Sequence, residues 1–317
     1  MRSGASRLSH SHCFGLEEIN TMSTCQKWFL ATRPWSFTMT AVSISVGSVM
    51  GSMGGGFSWP LYLITLAGVI FMHGAANLFN DYYDVLSGVD TLDVSTAQYR
   101  PHPLAEGSLT LTEVLIEALC LFAVAAGIGI FLAATRGWVI LALALVGAFA
   151  GVFYTAPPFR YKYRALGEIS VFLMWGPLMV EGAYFVQRQA LSLDALWVSL
   201  PFGVLVALVL FANNLRDTAD DREKGIQTLS IMTGPRKGIW VYVTLVACAY
   251  VSVIVMAFTG PLNPWSLMVL ISLPLFFTLL RQMMSSPPLD ADAQTAKLNT
   301  AFGILLLISL LIGRLTG

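Results

Sequence analysis

The sequence carries Asn77-Leu-Phe-Asn-Asp81-Tyr-Tyr-Asp84 and, 136 residues later (213 minus 77), Asn213-Asn-Leu-Arg-Asp217-Thr-Ala-Asp220. Both segments have the pattern N-x-x-x-D-x-x-D within an otherwise very apolar chain. On a helix, positions i, i+4 and i+7 share one face, so each segment is predicted to project an amide and two carboxylates to one side. Carboxylates clustered at the end of a membrane helix are costly unless positive charge neutralises them. The pattern therefore indicates bound cations or a cationic pocket.

The composition is that of an integral membrane protein. Of the 317 residues, 56% are hydrophobic and only 11% are charged, and the mean hydropathy is +0.70. A soluble domain of this length would be hard to keep in solution at such values. Nine apolar stretches are long enough to cross a hydrocarbon core about 30 Å thick. They cover residues 36–55, 60–80, 111–133, 137–155, 167–186, 195–215, 238–259, 263–280 and 297–314.

These stretches predict an all-α membrane protein with nine transmembrane helices around a central cavity. Each acidic motif lies at the end of an even-numbered helix, which suggests two related halves whose polar groups face inward. The loops that follow the two motifs are long, roughly 30 and 22 residues, and long loops in a compact domain usually act as lids or binding loops. Residues 27–317 are predicted to form this one domain, after a disordered extension of residues 1–26.

The basic residues are unevenly distributed about the nine helices. Of the 18 Lys and Arg residues, only Arg136, Arg188 and Arg314 fall on one side, which leaves 15 on the other. Because basic residues are retained in the cytoplasm, the amino terminus and both acidic motifs are predicted to be cytoplasmic. We expect a multi-pass protein of the cell inner (plasma) membrane, with the bilayer as its partner. Since the basic residues are not striped along one element, no nucleic-acid partner is predicted.

Both motifs continue with further acidic residues, Asp90 and Asp93 in the first case and Asp221 and Glu223 in the second. Mg²⁺ prefers carboxylate oxygens and keeps phosphate oxygens as further ligands, so two facing clusters would clamp a Mg²⁺-diphosphate. The predicted metal ligands are Asn77, Asp81, Asp84, Asn213, Asp217 and Asp221. The alternative for either motif alone is a solvated helix end, or a set of partners for neighbouring arginines.

The loop Tyr154-Thr-Ala-Pro-Pro-Phe-Arg-Tyr-Lys162-Tyr-Arg164 places basic and aromatic residues on the same membrane face as the acids. A diphosphate leaving group needs cationic donors, because charge builds on its oxygens as the bond to carbon breaks. The candidates are Lys162, Arg164, Arg100 and Lys224. The alternative is that topology alone places lysine and arginine here.

Three ionisable residues fall within predicted spans, where such groups are functional hypotheses by default. Glu181 lies toward the far end of its span, from which a long side chain can reach the interface, and Glu117 lies within the third span. His73 precedes Asn77 by four residues and so shares its helix face. A hydrogen bond between helices explains a lone histidine equally well, and we assign His73 no catalytic role.

The ordered series of motifs resembles the UbiA superfamily of intramembrane prenyltransferases. The resemblance covers almost the whole chain after residue 30 and rests on the two acidic motifs, the Tyr154–Gly167 loop and Gly176-Pro-Leu-Met-Val-x-Gly182. The usual first motif ends in an aspartate at the position of Gly88, and here Asp90 follows two residues later. That variant, with Arg33-Pro-Trp-Ser-Phe37, is similar to the 1,4-dihydroxy-2-naphthoate branch of menaquinone synthesis.

The resemblance implies a UbiA-like nine-helix bundle that is capped by cytoplasmic loops and open sideways to lipid. It implies a Mg²⁺-dependent prenyltransferase that moves a polyprenyl group from its diphosphate to an aromatic acceptor, with loss of a proton or a carboxyl group. Asp81, Asp217 and Lys162 are the predicted catalytic residues. The residues predicted to bind the diphosphate and its metal cofactor are Arg33, Arg100, Tyr154, Lys162, Arg164 and Lys224.

Other readings remain open from the sequence. Within the same fold, the acceptor could be 4-hydroxybenzoate, homogentisate, a haem or chlorophyll precursor, or a glyceryl phosphate. A cation-coupled transporter could also repeat paired Asp and Asn residues, although its ionisable groups are expected near the middle of the membrane. The alcohol phosphotransferases also use acidic metal motifs, but their D-G-x-x-A-R signature is absent from this sequence.

Overall fold

A computed structural model describes residues 22–53, 55–89 and 100–316, and these residues are almost entirely helical. The amphipathic entry helix α1 begins at Thr24, behind a capping box formed by Ser23 and Gln26. The start of α1 lies inside the predicted extension of residues 1–26, of which residues 1–21 are outside the described part of the chain. The remaining helices are α2 (Phe37–Gly51), α3 (Trp59–Leu86), α4 (Leu111–Arg136), α5 (Trp138–Phe153), α6 (Gly167–Arg188), α7 (Leu193–Arg216), α8 (Thr218–Glu223), α9 (Leu229–Thr233), α10 (Pro235–Thr259), α11 (Pro264–Ser285) and α12 (Ala291–Thr316).

The helices confirm an all-α membrane protein, although the count of nine spans is approximate. In the described part of the chain, seven helices are long and apolar enough to cross a membrane, namely α3, α4, α6, α7, α10, α11 and α12. Helix α5 is apolar but has only 16 residues, and α2, at the first predicted span, has 15. The first half of α11, Pro264–Ser272, is a 3-10 helix.

The first acidic motif lies entirely within α3. This helix continues to Leu86, six residues beyond the predicted end at residue 80, and stops before Gly88, whose φ of 73° suits glycine. Asn77, Asp81 and Asp84 therefore share one helix face, as their spacing predicts.

The second motif does not form one continuous helix. Helix α7 ends at Arg216, Asp217 lies at the junction with φ of −90° and ψ of 10°, and α8 begins at Thr218. Asp217 N–H still donates to Asn213 O at 3.0 Å, and Asp221 N–H donates to Asp217 O at 2.9 Å. The prediction of a shared face thus applies to this motif only in part, because the chain bends at Asp217, between Asn213 and Asp220.

The largest packed core lies between α2, α7, α10, α11 and α12, around fully buried side chains such as Phe202, Tyr242 and Phe302. Helices α6 and α7 cross very closely, since a Cβ atom built on Gly203 would lie 2.8 Å from the Cα of Gly176. At the same place α6 contains a π-helical segment, Met174–Leu178, that includes Pro177. On the other side of α6, helices α3, α4 and α5 surround a large cavity.

Candidate active site

The cavity between the helices has a volume of about 650 Å³. Its wall is apolar over most of its length, with side chains such as Ile44, Leu132, Ile140 and Val186. Polar and charged side chains gather where α3 and α7 end. Those that line the cavity there are Arg33, Asn77, Asn80, Asp84, Arg100, Tyr154, Lys162, Asn213, Asn214 and Asp292. One cavity thus joins an apolar compartment to a charged mouth, a combination suited to a ligand with a hydrocarbon tail and a charged head.

Asp84 is fully buried and is held by the loop between α5 and α6. Lys162 Nζ lies 2.6 Å from Asp84 Oδ2 and donates to Asn80 Oδ1 at 3.1 Å, while Tyr163 donates its hydroxyl to Asp84 Oδ1. Burial, and then the Asp84 charge, raise the pKa of the Tyr163 hydroxyl, so Tyr163 stays a donor. The Asp84 carboxylate is therefore matched by one cation and one neutral donor.

Asp81 is paired with Arg33 from the turn between α1 and α2. Arg33 adopts a left-handed backbone conformation, with φ of 57°, just before Pro34. Asn77 ties the same turn to α3 by donating to the carbonyl of Thr32 at 2.8 Å. The turn is thereby fixed against the motif face, with its guanidinium at the acidic end.

The second motif pairs with an arginine of its own. Arg216 donates to both Asp217 oxygens, from Nε at 2.7 Å and from Nη2 at 2.6 Å, and also to Asn213 Oδ1 at 2.7 Å. Burial, followed by the charge of Asp217, raises the pKa of Asp221 to about 6, while Lys162 and Lys224 act in the opposite direction. Burial next to another carboxylate thus makes the ionised form of Asp221 less favourable than that of an exposed aspartate.

Lys162 connects the two motifs, because it contacts Asp84 directly and its charge also acts on Asp221. Its loop is held in place by backbone bonds to the loop after α8: Ala165 N–H donates to Gln227 O at 2.8 Å, and Gln227 N–H donates to Tyr163 O at 3.2 Å. Lys224 also ties the end of α8 to the first motif, since its Nζ donates to Val89 O at 2.6 Å. The basic loop and both acidic motifs thus meet at one end of the bundle.

Asp292, at the start of α12, is a central residue that the sequence analysis missed. It is 4% exposed and pairs with Arg100 through Oδ2 at 3.2 Å and with Arg216 through Oδ1 at 3.1 Å. Arg100 also stacks over the Trp35 ring, 5.4 Å from its centroid. The loop after the first motif is thereby attached to the arginine that holds Asp217. A lone acid at a helix start gives no sequence signal for this, because its partners lie 76 residues or more away along the chain.

A second buried acid that was missed is Glu168, in the first turn of α6, which accepts from Asn214 Nδ2 at 2.8 Å. Of the three ionisable residues predicted inside spans, His73 lines the cavity, whereas Glu117 and Glu181 are not among its wall residues. Each of these two glutamates has one buried carboxylate oxygen without a hydrogen-bond partner.

The predicted site residues fall into three groups. Arg33, Asn77, Asp84, Arg100, Tyr154, Lys162 and Asn213 line the cavity. Asp81 lies in a small adjoining pocket that it shares with Arg33 and Arg100. Asp217, Asp221, Arg164 and Lys224 are not wall residues of either space, and the Arg164 side chain is exposed.

The donor set fits a hard divalent cation by its chemistry. The two motifs supply carboxylate and amide oxygens, which are the ligands that Mg²⁺ accepts in proteins. Within the described residues, however, no group of three or more His, Cys, Asp or Glu side chains is close enough to hold a metal ion by itself. Asp81, Asp84 and Asp217 are instead paired with Arg33, Lys162 and Arg216.

The sequence profile of the UbiA prenyltransferase family matches residues 40–307, which is most of the chain. The chain belongs to the UbiA prenyltransferase family. It is 28% identical to 1,4-dihydroxy-2-naphthoate octaprenyltransferase of Bacillus subtilis (strain 168) over 285 residues, which cover 89% of this chain and 91% of that protein. It is 31% identical to UbiA prenyltransferase domain-containing protein 1 of Mus musculus over 304 residues, which cover 94% of this chain and 87% of that protein.

Solved structures of the family share the fold. A UbiA homolog from Aeropyrum pernix K1 matches 88% of this chain and 98% of its own length, with a TM-score of 0.67 and 17% identity. A UbiA homolog from Archaeoglobus fulgidus, bound to DMAPP and Mg²⁺, matches 89% of this chain and 99% of its own length, with a TM-score of 0.57 and 15% identity. The protein is thus a UbiA-type membrane prenyltransferase.

We expect Asp292→Asn to loosen the mouth of the cavity. Two buried or half-buried guanidiniums would each lose a charged acceptor, and a hydrogen bond to a charged group contributes about 1.5–3 kcal/mol. The variant should unfold at a lower temperature in detergent, and the amides of residues 100–109 should exchange with solvent faster. Asp290→Asn is the matched control, because Asp290 accepts from Gln294 outside this network. Equal exchange of residues 100–109 in both variants would show that Asp292 does not hold the loop.

Proposed function

We propose that this prenyltransferase moves a polyprenyl group from its diphosphate to an aromatic acceptor, 1,4-dihydroxy-2-naphthoate, in menaquinone biosynthesis. The observation that carries the proposal is Lys162, which pairs with Asp84 of the first acidic motif at the charged mouth of a largely apolar cavity. The Bacillus subtilis relative supports the acceptor by its own name and by its coverage of nearly the full length of both chains.

The charged mouth is suited to holding the diphosphate. Lys162 and Arg33 would donate to its oxygens, and Arg100 would approach from the loop that Asp292 attaches. The apolar wall would hold the prenyl chain, which needs no hydrogen-bond partners. Arg164 and Lys224 would contribute charge from outside the cavity, a weaker role than predicted because their side chains are exposed.

The reaction breaks the bond between C1 of the prenyl chain and the diphosphate oxygen, and the diphosphate keeps the electron pair. Lys162 and Arg33 would stabilise the charge that develops on the leaving oxygens, as preorganised donors do in other enzymes. The electron-rich ring carbon then bonds to C1. If that carbon carries the carboxyl group, loss of carbon dioxide returns the electron pair to the ring and restores aromaticity.

Magnesium is the cofactor that the donor set favours, and the ligands we propose are Asn77, Asp81, Asp84, Asn213, Asp217 and Asp221. When bound, the ion neutralises the diphosphate charge and polarises the leaving group. Arg33 and Lys162, which pair with Asp81 and Asp84, would turn toward the diphosphate as these carboxylates bind the ion. The solved structure of the archaeal homologue contains both DMAPP and Mg²⁺, which supports the combination of a prenyl diphosphate with Mg²⁺ in this fold.

The first prediction under this proposal concerns metal dependence. Asp81→Asn and Asp217→Asn should each lower turnover by about 100-fold or more, because each removes one anionic ligand of the Mg²⁺ that would hold the diphosphate. The measurement is prenyl transfer in membranes with Mg²⁺, and with EDTA in place of the metal. Asp194→Asn, at an exposed site in the first turn of α7, should behave as the unchanged protein does. Full activity in EDTA would refute the metal role.

The acceptor is tested by supplying 1,4-dihydroxy-2-naphthoate and 4-hydroxybenzoate in parallel, each with a labelled polyprenyl diphosphate. The naphthoate should be prenylated with release of one carbon dioxide per product, because attack at the carboxyl-bearing carbon leaves decarboxylation as the route to aromaticity. The hydroxybenzoate should react poorly and retain its carboxylate. Product mass and released carbon dioxide are measured. Efficient prenylation of the hydroxybenzoate alone would refute the menaquinone acceptor and leave the prenyltransferase assignment standing.

We propose that the protein lies in the inner membrane with its active site on the cytoplasmic side, as the 15 to 3 division of basic residues indicates. Cysteine at Gln227, in the loop that contacts the Lys162 loop, should be protected from a membrane-impermeant thiol reagent in intact cells. Cysteine at Gln189, between α6 and α7, should be labelled. Both positions are exposed, and the test uses a variant without the native cysteines. The opposite labelling pattern would place the site outside.

A further inference from the structure

Trp175 lies on the cavity wall within the π-helical segment of α6. A π-helical segment is a local expansion of the helix that is frequent at functional sites. Here it occurs where α6 packs against α7 through Gly176 and Gly203. The irregular segment therefore determines where the indole of Trp175 is placed in the cavity.

Two bonds from α2 anchor Trp175. Ser43 donates its hydroxyl to the backbone carbonyl of Trp175 at 2.6 Å, and the indole Nε1–H donates to Thr40 Oγ1 at 3.1 Å. The Thr40 hydroxyl lies 2.8 Å from Nδ1 of His73, and Thr40 is fully buried. The rings of His73 and Trp175 are 4.9 Å apart in an edge-to-face arrangement.

The direction of the hydrogen bonds around His73 can be deduced. Ser36 donates its one hydroxyl hydrogen to the carbonyl of Arg33 at 2.7 Å, so at 3.2 Å from His73 Nε2 it must accept. The neutral imidazole then carries its hydrogen on Nε2, and Nδ1 accepts the hydrogen of Thr40. Neither of these two polar partners is a carboxylate, so a buried imidazole here is stable as the neutral form.

This chain of bonds runs in one direction, from the Trp175 indole through Thr40 and His73 to Ser36 and the carbonyl of Arg33. Each N–H and O–H in it already has a protein acceptor. The wall formed by Trp175 and His73 therefore offers aromatic surface to a ligand and not hydrogen-bond donors. Such a surface suits a flat ring, since aromatic pairs prefer offset or edge-to-face contacts.

The wall formed by Trp175 and His73 lies at the depth in the cavity that the ring of an aromatic acceptor must reach. His73 is one helical turn, about 6 Å along the axis, from Asn77 and two turns from Asp81 on the same face. The reacting carbon of a prenyl diphosphate lies next to its charged head, so an attacking ring must be near the first turn below the motif. A purely hydrocarbon tail would need no such oriented aromatic pair.

We propose that Trp175 and His73 form the wall against which the aromatic ring of the acceptor packs, and that Thr40 is a positioning residue that fixes the indole. This inference rests on the proposed function, because it requires an aromatic acceptor. It adds the location of the acceptor ring and a residue, Thr40, that acts on the acceptor through the two rings it is bonded to, Trp175 and His73.

The test compares the full-length protein with Thr40→Val, which keeps the shape of the side chain, Trp175→Leu, and Thr40→Ser, which keeps the hydroxyl. Acceptor and donor concentrations are varied separately in the transfer assay. We expect Thr40→Val and Trp175→Leu to raise the KM for 1,4-dihydroxy-2-naphthoate about three- to tenfold, while the KM for the diphosphate changes less than twofold. Thr40→Ser should keep the original acceptor KM. Ser45→Ala removes another α2 hydroxyl, bonded to Tyr62, and is the matched control.

Thermal unfolding in detergent measures ligand binding to a variant even if that variant has no measurable turnover. At equal concentration, added 1-hydroxy-2-naphthoate should raise the unfolding temperature of the original protein more than that of Thr40→Val or Trp175→Leu, which should need about three- to tenfold more of it for the same rise, and a prenyl diphosphate should stabilise all of them. An unchanged acceptor KM in both variants, or an equal rise in donor KM, would refute the inference alone. Transfer by the original protein only to a non-aromatic acceptor would refute the proposed function, and the inference with it.

Discussion

The pairing of Asp84 with Lys162 is the interaction on which the charged end of this molecule depends. Asp84 is fully buried, and an unpaired carboxylate at such a position would be very unfavourable. The lysine that neutralises it comes from a loop 78 residues further along the chain. That loop is held in place by backbone bonds to the loop after α8 through Gln227. Neutralising one acid therefore brings three segments together at the same end of the bundle, over the cavity.

The other carboxylates follow the same rule with different partners. Asp81 takes Arg33 from the turn before α2, and Asp217 takes Arg216 from the adjacent position in its own motif. Arg216 is in turn shared with Asp292, which also pairs with Arg100. The acids of the two motifs are thus neutralised by different cations. Arg216 also links Asp217 to Asp292, and Asp292 in turn links Arg216 to Arg100. Each of these cations is also a group that can donate to a diphosphate.

The sequence predicts the first motif well because helical periodicity alone places Asn77, Asp81 and Asp84 on one face. It predicts Lys162 because the basic loop lies on the same membrane face as both acidic motifs, so its cations are candidates for the same site. It does not reveal Asp292, since that residue acquires its role from two arginines far away in the chain. The bend at Asp217 is likewise not visible in the local pattern. The π-helical segment at Trp175 lies where Gly176 packs closely against Gly203, a long-range contact that the local pattern does not report either.

The ion-paired arrangement also bears on how the site can release its product. Under the proposed function, a diphosphate with its metal would take Arg33 and Lys162 away from Asp81 and Asp84, so part of the binding free energy would be used in exchanging partners. When the diphosphate leaves, the same cations can return to the same carboxylates, which stabilises the empty mouth and offsets the cost of release. A site with isolated carboxylates would bind the metal more tightly but would have no internal partner to take its place. Under the proposed function, the side chains that bind the leaving group are therefore also the ones that return to the carboxylates when it departs.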